Sequence, residues 1–271
     1  MKLAYSVATP EASGPLMSFW GDFRKNIEEI QTIGYEALEL FVRDPGLMDI
    51  PAIQSVIKQS GMGVAAVGTN PAMSQDGLTL LSPDAGIREK AVARVLAMVD
   101  FASTWGAPVC IGKYRGQLWK GNEKEAMKAL TDAVLRISSA AARKGVRIMI
   151  EPQNRSNINN LNTVAETAKW IEQNALPNTS ILYDTFHGDL AETSIAAGIV
   201  AAKDCLGFVH CSDSERLPPG AGHIHMADVF AVLKAVGYDG YVSMEIAQNP
   251  DCFTAAKTAF NNVSYILRHV V

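Results

Sequence analysis

The chain is poor in cysteine: Cys110, Cys205, Cys211 and Cys252 are all it has in 271 residues, and no two are spaced as CxxC. So sparse a set excludes a disulfide framework and reads as reduced thiols in a cytoplasmic protein. No apolar run approaches the roughly 20 residues of a membrane span, and no Lys/Arg-rich amphipathic stretch suits a membrane surface. The opening MKLAYSVATPEASG has no apolar core of the kind a secretory signal needs. Positive charge is also short. With 24 Lys and Arg against 28 Asp and Glu, the chain lacks the basic footprint of a nucleic-acid binder. P-loop and G-x-S-x-G patterns are missing. The nearest approach to a dinucleotide fingerprint, Gly61-Met62-Gly63-Val64-Ala65-Ala66, follows a helical pattern and enters a strand. That order is wrong for a phosphate loop, and the glycines read as a helix cap.

What is present is an alternation. Apolar runs at Lys2–Val7, Ala37–Leu40, Val64–Gly68, Pro108–Gly112, Arg147–Glu151, Ser180–Asp184, Phe208–Cys211 and Tyr241–Ile246 predict strands, with helical spacing in every gap. Ser82-Pro83-Asp84 predicts a helix start, with Ile87, Ala91 and Val95 inward and Arg88, Glu89 and Arg94 outward. Thr163 and Glu166 predict a capping box, and Gly237 a helix end. Eight strands alternating with eight helices predict a single (β/α)8 TIM barrel domain over residues 1–271.

In such a barrel the chemistry sits at the C-terminal ends of the strands. Four successive strands end in Glu151, Asp184, His210 and Glu245, separated by 33, 26 and 35 residues. Each separation is about one βα unit, so neighbouring strands deliver them to one mouth. If Glu245 and His210 point inward, so does Ser243, while Val242, Met244, Ile246 and Cys211 face the helices. Three carboxylates and an imidazole crowded together repel unless a cation neutralises them. Oxygen-rich ligation with one His suits Mn²⁺, with Mg²⁺ or Co²⁺ as alternatives. A rival set, His210, Cys211, His223 and His225, fails on the parity of Cys211.

The strings Glu151-Pro152-Gln153-Asn154-Arg155, Asp184-Thr185-Phe186-His187 and His210-Cys211-Ser212-Asp213-Ser214-Glu215-Arg216 resemble those of ketose 3-epimerases of the D-tagatose and D-psicose type. These belong to the sugar isomerase/epimerase superfamily with its xylose-isomerase-like TIM barrel. Leu217-Pro218-Pro219-Gly220-Ala221-Gly222, Gly237-Tyr238-Asp239-Gly240 and Gly34-Tyr35-Glu36-Ala37-Leu38-Glu39-Leu40 extend the resemblance over essentially the whole chain. It implies that Glu151, Asp184, His210 and Glu245 bind the metal, that Glu151 and Glu245 are the acid/base pair, and that His187 and Arg216 contact substrate. It also implies a Glu where this chain has Asn157, so the sugar end bound there is expected to differ, with a carboxylate as one option and Arg216 as its counter-charge.

The expected reaction is epimerisation of a keto-sugar or keto-sugar acid at the carbon beside the carbonyl, C3. A metal bound to the carbonyl and neighbouring oxygens would stabilise a cis-enediolate, and one carboxylate would serve each face. Aldose–ketose isomerisation of the hydroxypyruvate or inosose type on the same site is the alternative. A non-catalytic sugar-binding barrel and an AP-endonuclease-like nuclease are weaker readings, the last opposed by the acidic charge and only five His. The partners expected are a small-molecule substrate, leaning to an unphosphorylated one, and further copies in a dimer or tetramer, with neither nucleic acid nor membrane. Trp119 is expected to wall the pocket.

Overall fold

The computed structural model describes residues 1–14 and 17–271. Eight parallel strands close into a barrel in sequential order. They are β1 (Lys2–Ala8), β2 (Ala37–Phe41), β3 (Gly63–Gly68), β4 (Val109–Ile111), β5 (Ile148–Ile150), β6 (Thr179–Asp184), β7 (Leu206–Cys211) and β8 (Tyr241–Met244). The predicted TIM barrel is therefore found, and every predicted strand is there, with β4, β5 and β8 ending a residue or two sooner. Glu151 and Glu245 thus lie just past their strands, although Glu151 N still donates to Ile111 O at 3.2 Å.

Ten α-helices lie among the described residues, two more than the eight expected: α1 (Phe23–Ile33), α2 (Ile50–Ser60), α3 (Asn70–Asp76), α4 (Ala85–Ala102), α5 (Glu123–Arg143), α6 (Val164–Gln173), α7 (Thr185–Ala191), α8 (Ile195–Ala202), α9 (Met226–Ala235) and α10 (Cys252–His269). The extra two arise where a short helix, α3 or α7, precedes the main crossover helix. None of the described helices is long and apolar enough to cross a membrane.

The helix signals are mostly where the sequence puts them. Thr163 and Glu166 form the capping box of α6, and Gly61 closes α2 in the left-handed region at φ 71°, then leads directly into β3. The start of α4 is shifted: Asp84 is the N-cap, accepting from Gly86 N and Ile87 N, and Pro83 stays outside the helix. Arg94 does not turn to solvent. It pairs with Asp44 and Asp76, each at 2.7 Å, and Arg43 joins through Asp76 at 2.7 Å. The network fastens the loop after β2 to α3 and α4.

Strand parity divides the interior in two. Outward residues such as Val242, Met244, Ile246 and Cys211 join the core between strands and helices. The lumen holds a separate buried layer of Ala4, Ala37, Ala65, Ala66, Cys110, Met149, Leu182 and Phe208. Two residues further along five of these strands come Glu39, Glu151, Asp184, His210 and, above Ser243, Glu245. A period of two therefore stacks a polar storey directly on an apolar floor.

Candidate active site

Glu151, Asp184, His210 and Glu245 are all buried, and one ligand-capable atom from each lies within 4.8 Å of the others. His210 Nδ1 is the hub, 3.7 Å from Glu151 Oε1, 3.7 Å from Asp184 Oδ2 and 3.3 Å from Glu245 Oε2. Donors around a divalent cation, bound at about 2.0–2.6 Å, stand at most about 5 Å apart, so the cluster has the right span. Glu151 Oε1 and His210 Nδ1 are buried without hydrogen-bond partners. Two orphaned atoms facing one another are costly, and a shared cation satisfies both. The residues present fit a divalent metal ion.

Electrostatics agree. Burial alone opposes a charged His210, yet the carboxylates of Glu39 and Glu245 hold its imidazolium well above the usual range. The site demands positive charge at this point, and a proton supplies it where a cation does not. Burial likewise opposes ionisation of Asp184 and Glu245. For Asp184 the Arg216 charge, and for Glu245 the His210 charge, overrides it and keeps the carboxyl below its ordinary value.

Each of the four side chains is held by something specific. Asp184 caps α7 as a lone Asp before Thr185 would, its Oδ1 accepting from Phe186 N at 2.8 Å and His187 N at 3.1 Å, while Oδ2 faces the site. Glu151 Oε2 accepts from Gln153 Nε2 at 2.5 Å, leaving Oε1 inward. Arg115, fully buried, donates to Glu151 O at 2.7 Å and to the carbonyls of Ile111 and Gly112, tying β4 to β5. Burial pushes its guanidinium down to about 10. His210 Nε2 stands 3.0 Å from both oxygens of Glu39, a fully buried carboxylate on β2.

The remaining expected residues line one cavity of about 310 Å³ that is also lined by Glu151, His210, Glu245 and Glu39. His187 Nδ1 lies 2.8 Å from the side-chain amide of Asn154, whose Oδ1 accepts from Ser156 N. Nε2 lies 3.1 Å from Arg216 Nη2, whose guanidinium donates to it, and 3.8 Å from Glu151 Oε1. Arg216 reaches the cavity on backbone at φ 60°, next to Glu215 at 56°. Left-handed backbone at two non-glycine residues costs about 1–2 kcal/mol each, offset here by Asp213, whose carboxylate accepts from Ser214 N, Gly220 N and Ile224 N. Arg216 Nη1 lies 2.5 Å from Asp184 Oδ2 and 3.1 Å from Glu245 Oε2. Its charge is engaged with the carboxylates of Asp184 and Glu245, not held free for a substrate carboxylate. Asn157 lines the cavity wall.

The rival metal set does not assemble. His223 is exposed and bound to Asp189 at 3.0 Å, and Cys211 packs on Met226. Trp119 misses the cavity and lines a neighbouring groove instead. Glu39, Arg115 and Gln153 were not singled out from sequence. Glu39 alone carried a signal: a carboxylate alternating with apolar residues in Ala37-Leu38-Glu39-Leu40 points into the lumen by the same parity as Glu245.

Residues 27–262 match the family model described as xylose isomerase-like TIM barrel. An L-ribulose 3-epimerase from Methylomonas sp. (strain DH-1) is 28% identical over 251 residues, covering 87% of this chain and 84% of its own. The 3-dehydro-D-guloside 4-epimerase of Escherichia coli (strain K12) is 33% identical over 118 residues, 44% of this chain and 45% of that protein. A solved D-allulose 3-epimerase from Methylomonas sp. superposes with a TM-score of 0.81 at 23% identity, covering 98% of both chains. At that identity the likeness speaks for the fold alone.

Proposed function

The chain belongs to the xylose isomerase-like TIM barrel family, and from that membership we propose that it is a metal-dependent epimerase of a keto-sugar, acting at the carbon beside the carbonyl. The observation that carries the reading is the buried cluster of Glu151, Asp184, His210 and Glu245, with two orphaned atoms turned to a common centre. Its 3-epimerase relatives support the reaction type.

Glu151, Asp184, His210 and Glu245 hold the ion in this reading, and Mn²⁺ suits three carboxylates and one imidazole. Removing a proton beside a carbonyl leaves negative charge on the neighbouring oxygens, and a bound divalent cation supplies Lewis-acid stabilisation of that charge. The proton moves between substrate carbon and the carboxylates. Glu151 and Glu245 approach from β5 and β8, so one takes the proton from one face and the other returns it to the opposite face. His187, held between Asn154 and Arg216, lines the cavity and contacts a substrate oxygen. Arg216 holds Asp184 and Glu245 ionised and in place. We further place the protein in the cytoplasm, in keeping with its four free cysteines, and expect it to be a homo-oligomer.

The test is solvent deuterium exchange by Mn²⁺-loaded protein with a panel of ketoses and keto-acids. Deuterium is expected at the epimerised carbon together with the product epimer. Glu151→Gln and Glu245→Gln are each expected to abolish turnover, while one retains exchange from a single epimer. Near-native epimerisation by either variant overturns the two-carboxylate assignment, and an aldose product moves the reading to isomerisation.

A further inference from the structure

The cavity adjoins a second and larger space. A groove of about 880 Å³ shares Met73 and Lys113 as lining residues with the catalytic cavity. Small-molecule sites span about 300–1,000 Å³, so the 310 Å³ cavity accommodates one sugar unit and the groove is room beyond it.

Its chemistry is distinctive. Arg88, Lys113 and Lys120 line it, and no carboxylate does. The lysine ion pairs of the described residues are those of Lys25, Lys144 and Lys203, so the ammonium groups of Lys113 and Lys120 have none. The wall is built and fixed. Trp119 Nε1 donates to Leu81 O at 2.8 Å, and the Arg88 guanidinium lies 5.2 Å over the Trp119 ring while bonded to Ser82 O and Pro83 O. Gln117 and Leu118 are tied to Asn157 and Asn159 by bonds of 2.7–2.9 Å. The groove wall is therefore continuous with the loop that brings Asn157 to the cavity.

We propose that this groove is a second subsite that receives a negatively charged substituent carried by the keto-sugar, so that the substrate is an extended keto-glycoside rather than a free ketose. This rests on the epimerase reading and names its substrate class. The keto-sugar sits over the carboxylate cluster, and its substituent passes Met73 and Lys113. There Trp119 offers a flat apolar face, and Lys113 and Lys120 meet the negative charge.

Non-reacting glucosides test this by calorimetry on the Mn²⁺-loaded protein. The probes are methyl, phenyl and 4-carboxyphenyl β-glucoside. Phenyl is expected to bind about tenfold tighter than methyl, and 4-carboxyphenyl at least about fivefold tighter again. Lys120→Gln, an exposed change in the groove and outside the cavity, should remove most of the carboxylate's advantage over phenyl, and Lys113→Gln with Lys120→Gln all of it. A 4-carboxyphenyl glucoside no tighter than phenyl, an advantage that survives the double variant, or equal or absent binding of all three overturns the proposal. Failure of the epimerase reading shows separately, as no deuterium exchange into any ketose or keto-glycoside whatever the binding order.

Discussion

Both carboxylate oxygens of Glu39 stand 3.0 Å from Nε2 of His210, across the lumen from β2 to β7. With an ion bound, the contact points the Nε2 proton at Glu39 and leaves Nδ1 as the lone-pair nitrogen facing Glu151, Asp184 and Glu245. A carboxylate behind a ligating His also raises its basicity. Glu39→Gln is expected to weaken Mn²⁺ binding by about 10- to 100-fold, read by metal titration of the stripped protein. Native affinity in the variant would show that the contact plays no part in ion binding.

Gly112 is placed where a side chain has no room. A Cβ there would press into Glu151 Oε2 and Gln153 Nε2. Gly112→Ala should leave the barrel folded, by circular dichroism, and lower kcat about 100-fold, the scale of loss for a reacting group displaced by about 1 Å. A variant of native activity would mean that Glu151 tolerates displacement.

Asp76 joins Arg43 and Arg94 in a network that is mostly shielded from solvent. Burial works against ionisation, but the two guanidinium partners hold the Asp76 carboxyl below its usual value. A depressed folded value means the stabilisation is full at neutral pH and is lost as pH falls through that value. Asp76→Asn should therefore cost about 1–2 kcal/mol at pH 7, with a lower Tm, and the gap from the parent should close below about pH 4. A gap independent of pH would assign the loss to packing.

Asn157 faces the cavity where the family resemblance implies a carboxylate. An amide both donates and accepts and adds no charge. Asn157→Glu should improve kcat/KM on neutral ketoses and lower it on keto-acids, each by about tenfold or less, as one hydrogen bond to a charged group is worth about 1.5 kcal/mol. Unchanged preference for both classes would take Asn157 out of substrate selection.

Much of this arrangement is written in simple periodicities. The barrel follows from apolar runs one βα unit apart, and the ligand quartet from polar residues that end four of them. Parity also predicts the outward turn of Cys211. The Arg216 contacts are of another kind. They depend on two left-handed residues and on Asp213 bonding three backbone amides, a loop shape that no spacing rule encodes. Arg115 carries no signal in the sequence, since its carbonyl partners Ile111, Gly112 and Glu151 meet only where β4 pairs with β5. Trp119 was legible as a wall, but which space it walls depends on how the loop after β4 lies against residues 157–159.

The apolar layer of Ala4, Ala37, Met149, Leu182 and Phe208 beneath the cluster also gives the lumen a floor. On the epimerase reading, reactant and product then pass the same rim of the cavity, where Met17, Asn70, Met73, Lys113 and Asn157 stand. Release is then a common toll on the forward and the reverse reaction. A bulky competitor wedged at that rim should slow both directions by the same factor and leave the equilibrium ratio of epimers untouched.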